Sequence, residues 1–563
     1  MPDDTVLLER HFDTAFAAPD GIQRLRELIL TLAMQGKSVP QDPKDQPASE
    51  LLKAIEVEKQ RLVKEGKIKQ PKPLPAITAE ELPYKLPDGW EWVRLHDYGI
   101  WKSGTTPSRT NSSYYGGDIP WVKSGEVKQG KIVETSETIT QEALKSCSLD
   151  LNSIGSVLVA MYGANIGEVG VLEIEATTNQ AVCACKPYLG IDNIFLVYLL
   201  TSLKQNFIGQ GAGAAQPNIS REKIIHTIVP LPPLAEQRRI VAKIDRLMAR
   251  CDELEKLRAE RNHKRITVHT AALDRLLTAK ESNDFSTAWR FITQHFGELY
   301  SVKENVAELR KAILQLAVMG KLVPQDPKDE PASELLKAIA AEKQQLVKEG
   351  KIKQPKPLPD IKPEEMPYEL PKGWQWSNIQ NISLKVTDGE HATPQRSESG
   401  YYLLSARNVT NEGIKLDNVD YVPQHEYERI RKRCDPEIGD ILISCSGSVG
   451  RIAIVDANDY VMVRSAALIK HEHNFLMSSF LAYALKSPMV QFQIVEKSRT
   501  TAQSNLFLGK INEILIPIPP LVEQRRIVAK IDQLMALCDH LDQQIDAAKN
   551  KQTTLLNAVM AQV

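Results

Sequence analysis

The sequence predicts a mixed α/β chain in which two globular domains are joined by two long antiparallel coiled-coil helices, the halves related by a pseudo-twofold internal repeat. Three observations carry this. Residues 22–92 return at 306–376 with a constant offset of 284, and 231–254 return as 518–541 with an offset of 287. Each copy of the later segment opens on a proline pair and continues as an apolar stripe at heptad spacing. The stretches between the repeats, 93–229 and 377–516, carry short β-type runs punctuated by glycine turns. The boundaries that follow are 1–92 (first helical region and linker), 93–229 (first globular domain) and 230–280 (central coiled-coil helix). The second half gives 281–376 (joining segment and second helical region), 377–516 (second globular domain) and 517–563 (C-terminal coiled-coil helix).

The first repeated segment starts as an amphipathic helix, with Ile22, Leu25, Leu28, Ile29, Leu32 and Ala33 on one face and Gly36 placed to stop it. Its copy uses Val306, Leu309, Ala312, Ile313, Leu316 and Ala317, stopped by Gly320. Pro47 stands where a second helix would begin, with Leu51, Leu52, Ile55 and Leu62 at helical spacing. Ser38–Ile77 differs from Leu322–Ile361 at only six positions. The run from Gln70 to Pro75 is a stiff extended linker, made basic by Lys64, Lys67, Lys69 and Lys72. Trp90 and Trp92, repeated as Trp374 and Trp376, are expected to anchor that linker on the domain that follows.

Within the first domain, Ile119–Val122, Ser156–Met161 and Val169–Leu172 read as strands and Asn193–Lys204 as a helix. In the second, Tyr401–Leu404, Asp440–Ile443 and Ile452–Val455 read as strands and Leu476–Lys486 as a helix. The domains are expected to close on strands Ile224–Val229 and Ile514–Ile516, and a polar stretch from Lys280 to about Lys303 joins the halves. The closing helices carry Ile240, Ile244, Leu247, Cys251 and Leu254, and Ile527, Ile531, Leu534, Cys538 and Leu541, at 4-3-4-3 spacing. The second stripe continues through Ile545, Ala548, Leu555 and Val559. Such a stripe needs a partner helix, and the nearest is its own copy. Helices of about 35 to 40 residues would act as a spacer, at about 1.5 Å per residue.

Apolar content of 42% and charged content of 25% suit a soluble globular protein, and the net charge of −1 leaves no basic footprint over the whole chain. The globular domains carry eleven Lys and Arg against twelve Asp and Glu, and fifteen against sixteen, so a positive face would have to be local, with the acids segregated elsewhere. Met1-Pro-Asp-Asp shows no signal peptide, no apolar run reaches the length of a membrane span, and seven cysteines without CxxC spacing suggest buried thiols in the cytoplasm.

The arrangement resembles the specificity (S) subunits of type I restriction-modification systems over nearly the whole chain. The resemblance rests on Pro230-Leu-Pro-Pro-Leu-Ala-Glu-Gln-Arg-Arg-Ile240 and on Leu86-Pro-Asp-Gly-Trp-Glu-Trp92. It rests also on Ser103-Gly-Thr-Thr-Pro-Ser108, Asp118–Ser124, Met161–Gly167, Thr178-Asn-Gln-Ala-Val182 and Gln216-Pro-Asn-Ile-Ser220. The second domain keeps only Gly439-Asp-Ile-Leu-Ile443 and Ser446-Gly-Ser-Val-Gly450. The helical segment ahead of each domain is similar to a type IB-like subgroup. The resemblance implies two target recognition domains, each reading half of a split DNA site. It further implies docking of two modification (methyltransferase) subunits that bind S-adenosylmethionine, and restriction subunits that use ATP and Mg. No catalysis and no cofactor are expected in this chain, and no membrane contact.

Base reading in the major groove calls for Arg or Lys toward guanine, Asn or Gln toward adenine, and small hydroxyls at loop tips. The candidates in the first domain are Lys102, Ser103, Thr105, Thr106, Lys123, Ser124, Tyr162, Asn165, Gln216 and Asn218. In the second they are His391, Thr393, Gln395, Arg396, Arg407, Asn408, Ser446, Ser448, Arg451, Arg464, Ser504 and Asn505. Turn or capping chemistry is the competing explanation for each. No amino-methyltransferase motif and no phosphate loop is present. Gly209–Gly213 reads as a flexible loop and His471-Glu-His473 as a surface strand end, so no metal ligand is assigned. Arg238-Arg239 and Arg525-Arg526 read as a solvated helix face or partner contact, with DNA phosphate the second alternative. A methyltransferase or nuclease acting by itself, and a coiled-coil scaffold binding only protein, are the other readings; the neutral charge favours the scaffold slightly.

Overall fold

β1 (Glu91–Arg94) begins the first domain in the computed structural model, which describes residues 13–70, 74–211, 218–499 and 505–561. β2 (Gly99–Ser103), β3 (Tyr115–Val122), β4 (Lys131–Ile132), β5 (Thr138–Ile139) and β6 (Val157–Ala160) follow. After β7 (Val169–Leu172), β8 (Thr177–Thr178) and β9 (Val182–Pro187), β10 (Ile228–Leu231) returns antiparallel to β1 and closes the domain. One sheet has the order β2-β9-β6-β7-β4 and another β5-β3-β8. β6 and β7 are buried along their whole lengths, which explains their unbroken apolar runs.

The second domain comprises β11 (Gln375–Asn378), β12 (Ser383–Asp388), β13 (Tyr401–Leu404), β14 (Val409–Thr410), β15 (Gly413–Ile414) and β16 (Asp420–Val422). β17 (Ile441–Ser444), β18 (Ile452–Ile454), β19 (Tyr460–Met462), β20 (Ala466–His471) and β21 (Leu515–Ile518) complete it. Its sheets run β12-β20-β17-β18 and β16-β13-β19, and β21 pairs with β11 as β10 does with β1. β3 and β13 each pair antiparallel on one side and parallel on the other. Two stretches with little sequence in common thus share the order of four strands in one sheet and three in the other. β4, which extends the first domain's main sheet, is replaced in the second by a separate β14-β15 pair.

The chain divides into two compact units, one running to Glu260 and resuming at Lys549, the other Arg261–Ala548. Two long helices, Leu234–Thr278 with 45 residues and Leu521–Ala561 with 41, each begin in one unit and end in the other. The partner of their apolar stripes over the repeated segment differs from the expectation. Ile240, Ile244 and Cys251 are buried in the first unit's core with Ile22, Ile29 and Ala33 of helix Gly21–Met34, and Leu247 packs against that core. Ile527, Ile531 and Cys538 are buried with Val306, Ile313 and Ala317 of helix Lys303–Val318, with Leu534 and Leu541 packed alongside. Leu254 remains 48% exposed. The stripe is covered here by the amphipathic helix of its own half, whose apolar face must also be buried. Arg26 seals one edge of that contact against Asp252 (2.7 Å) and Glu255 (2.8 Å), and Arg310 repeats the pattern with Asp539 and Asp542.

The repeated Glu-Gln-Arg-Arg start of each long helix is a clamp. Glu236, 1% exposed, accepts from the Trp90 indole at 2.9 Å and from Gln41 at 3.1 Å. Gln237 accepts from the Asp192 amide, so the same turn holds the start of helix Asn193–Ser202. Arg239 pairs with Asp45 at 2.6 Å. Glu523 with Trp374 and Gln325, Gln524 with the Met477 amide, and Arg526 with Asp329 reproduce every contact. Arg239 and Arg526 are therefore partly exposed braces to the preceding repeat, while Arg238 and Arg525 stay on the exposed face of the helix.

Four further expectations change. Ile224–His226 is the end of a helix (Arg221–His226) that Ser220 caps, and the closing strand starts at Ile228. The joining stretch forms helix Ser282–Gln294, whose Ala288 and Ile292 enter the second unit's core. Gly209 to Gly211 end a helix (Lys204–Gly211), while Gly213 lies outside the described residues. His471 is 2% exposed, an interior position at the end of β20, with its Nε2 3.3 Å from the Ser478 hydroxyl.

Burial, with the neighbouring His473, pushes His471 down from 6.5 to about 3. The unfolded chain takes up this proton near pH 6.5 and the folded chain does so only near 3. Stability from a neutral His471 is therefore complete above pH 6.5 and falls below it, by about 1.4 kcal/mol for each pH unit. Hydrogen-exchange protection of β20 compared at pH 7.5 and 5 should show this loss in the wild type and a smaller one in His471→Gln. Equal losses would refute it.

Candidate nucleic-acid interface

In the first domain the ends of β2, β3, β6, β8 and β9 meet at one rim, stitched by backbone hydrogen bonds. Gly104 N–H donates to Val182 O (3.0 Å), Thr105 N–H to Thr178 O (3.0 Å) and Asn179 N–H to Val122 O (2.9 Å). Met161 N–H donates to Ala181 O and Ile219 N–H to Met161 O, and Tyr162 bridges Asn218. Gly104 permits this closeness, since a Cβ there would lie 2.2 Å from the Thr178 carbonyl oxygen. The rim gathers Lys102, Ser103, Thr105, Thr106, Lys123, Ser124, Tyr162 and Asn218 from four separate stretches of chain. Asn165 stands in the turn Gly163–Asn165 beside Gly125. Gln216 lies outside the described residues.

The second domain makes the same stitches. Gly389 N–H donates to Ala466 O, Glu390 N–H to Met462 O and Val463 N–H to Leu404 O. Cys445 N–H donates to Ser465 O, Leu506 N–H to Cys445 O, and Ser446 bridges Asn505. Gly389 has the role of Gly104, its Cβ position lying 2.2 Å from the Met462 oxygen. His391, Thr393, Gln395 and Arg396 follow β12, Arg407 follows β13, Ser446 and Ser448 follow β17, and Arg464 follows β19. Arg451 precedes β18, and Ser504 lies outside the described residues. Asn408 is not an available reader. It is 2% exposed, and its side chain accepts from the Ser405 amide and donates to the Lys415 carbonyl, holding a turn.

The acids are not segregated from the cations. Lys123 and Arg109 share Glu137 at 3.0 and 2.8 Å, and Lys102 reaches Asp150 at 2.5 Å. Hydrogen bonds from Arg109 and then Lys123 hold the Glu137 carboxyl below its usual range. In the second domain Arg407 and Arg396 share Asp420, Arg429 pairs with Glu390, and Asp388 joins Arg433 and His391. Burial alone would raise Asp388, but hydrogen bonds from Arg433 and His391 bring it below the ordinary carboxylate range. Interleaved pairs keep the net charge near zero, while exposed pairs of this kind are worth about 0–1 kcal/mol and can exchange their acid for a phosphate at small cost.

Three rim-region groups escape the sequence reading. Arg109 stacks over Tyr115 with its guanidinium carbon 4.4 Å from the ring centroid. Arg429 sits on helix Gln424–Arg431, paired across to the rim residue Glu390. Gln180 is exposed in the turn between β8 and β9, inside the Thr178–Val182 motif. That motif was the only signal for Gln180; Arg109 and Arg429 had none, because their placement depends on contacts distant in the chain. Among the described residues no group of His, Cys, Asp and Glu could hold a metal ion, and no helix is long and apolar enough to cross a membrane.

Comparison with known proteins shows the family of the chain. The type I restriction modification DNA specificity domain matches residues 87–261 and 371–549. The chain is 35% identical to the type I restriction enzyme EcoAI specificity subunit of Escherichia coli, over 96% of this chain and 93% of that one. It is 31% identical to the EcoEI specificity subunit of the same species, again over 96% and 93%. The crystal structure of the HsdS subunit from Thermoanaerobacter tengcongensis aligns at 20% identity over 85% of this chain and 98% of that one, with a TM-score of 0.42.

Proposed function

The chain belongs to the type I restriction-modification specificity subunits, and from that premise we propose that its two rims each read one half of a bipartite DNA site. The observation that carries the proposal is the pair of rims itself: the backbone stitching is shared, while the exposed side chains on it differ. A common scaffold with variable tips suits two readers of unlike half-sites. The readers are Lys102, Ser103, Thr105, Thr106, Lys123, Ser124, Tyr162, Asn165 and Asn218 on the first domain. On the second they are His391, Thr393, Gln395, Arg396, Arg407, Ser446, Ser448, Arg451, Arg464 and Asn505.

The chain itself performs no chemistry in this reading. It hands the bound site to two modification subunits, which supply S-adenosylmethionine and extrude the target adenine, and to restriction subunits using ATP and Mg. The repeated helical segments provide two equivalent docking surfaces for the modification subunits, because the clamp contacts are duplicated residue for residue.

Exchange of residues 93–229 for the same domain of a relative is the decisive experiment. Methylome sequencing of DNA modified by the assembled complex should show one half of the target replaced and the other kept. Change in both halves, or in neither, would overturn independent reading.

A further inference from the structure

Gln180 and Arg464 occupy one and the same position on the two rims. Each is the middle residue of a three-residue turn whose ends are fixed by matching bonds. Asn179 N–H donates to Val122 O and Met161 N–H to Ala181 O in the first domain. Val463 N–H donates to Leu404 O and Cys445 N–H to Ser465 O in the second. The residue ahead of the turn pairs in parallel with the neighbouring strand in both, Thr178 with Val122 and Met462 with Leu404. The residue two beyond continues into the central sheet, Val182 opposite Ala160 and Ala466 opposite Ser444.

Both side chains are exposed, and among the described residues no hydrogen bond or ion pair engages either of them. Most of the neighbouring long polar groups are committed: Lys102 to Asp150, Lys123 to Glu137, Arg396 and Arg407 to Asp420, and His391 to Asp388. A side chain with unspent donors on a backbone held at both ends is preorganised to read without reorganising the turn beneath it. The two residue types are also those with distinct bidentate partners. A glutamine amide matches the N6 and N7 edge of adenine, and an arginine guanidinium the O6 and N7 edge of guanine.

We infer that Gln180 and Arg464 are homologous specificity-determining residues, Gln180 reading an adenine in one half-site and Arg464 a guanine in the other. The inference rests on the rims being the DNA-reading surfaces. It deepens that reading by naming one residue per domain and the base each one selects.

The test uses the full chain assembled with its modification subunits and a duplex library randomised over both half-sites. Selected sequences are compared for wild type, Gln180→Ala, Arg464→Ala and, as a control on the joining helix Ser282–Gln294 outside both the repeats and the rims, Gln294→Ala. Gln180→Ala should lose roughly tenfold to hundredfold discrimination for adenine at one position of one half-site, leaving the other half untouched. Arg464→Ala should do the same for guanine in the opposite half, and Gln294→Ala should match wild type. Weakening spread evenly over all sequences, with a shallower salt dependence, would make these residues phosphate contacts and overturn the inference. Unchanged selection in both variants, or loss of a different base, would also overturn it while leaving the rims as readers. A wild-type complex that selects no split site would remove both readings together. Both replacements lie on exposed turns, so thermal unfolding should match wild type and exclude misfolding as the cause.

Discussion

Ile244→Asp is expected to unfold the core of the first unit, whereas Leu254→Asp, on the same apolar stripe, should change its stability by no more than about 0.5 kcal/mol. Ile244 is fully buried among residues of helix Gly21–Met34 and the first domain, and Leu254 is 48% exposed. A carboxylate at position 244 would have neither water nor a partner, a burden of more than about 4 kcal/mol against a typical domain stability of about 5–15 kcal/mol. Ile531→Asp should do the same to the second unit, because Ile531 is fully buried in that unit's core. Urea unfolding followed by hydrogen exchange resolves the units. Equal destabilisation by Ile244→Asp and Leu254→Asp would show that the whole stripe shares one kind of partner, and would restore the simpler helix-pair expectation.

Glu236→Ala should cost about 2–4 kcal/mol, because it leaves two donors without their acceptor in a closed site. The Trp90 indole and the Gln41 amide both point at the Glu236 carboxylate, which is 1% exposed. Burial raises this carboxyl above its usual range, and the bonds from Trp90 and Gln41 only partly offset that. Glu523→Ala should behave alike, since Trp374 and Gln325 repeat the arrangement. A double-mutant cycle of Glu236→Ala with Trp90→Phe provides the check. The clamp predicts a coupling energy of at least about 0.5 kcal/mol; strictly additive effects would mean that the indole and the carboxylate do not support each other.

Much of the candidate site was legible because the family motifs sit at the rim. Ser103–Ser108, Asp118–Ser124 and Met161–Gly167 all reach it, each from its own strand end. Asn408 was misjudged since an asparagine that holds a turn and one that meets a base look identical in sequence, and only its burial separates them. The expected segregation of acids from the cations fails for a related reason. Counts of acids and bases carry no positions, and Asp420 meets Arg396 and Arg407 only after β13 and β16 pair.

By itself the sequence determined the repeat, the paired globular domains, several of their buried strands and the two long helices, because periodicity and proline punctuation act over a few residues. Only the tertiary structure decided which surface covers each apolar stripe, since a heptad pattern specifies that a partner is required and not which one. It also decided that Gln180 and Arg464 are counterparts. Their equivalence is written in backbone hydrogen bonds, which any residue but proline can make, so side-chain identity leaves no trace of it.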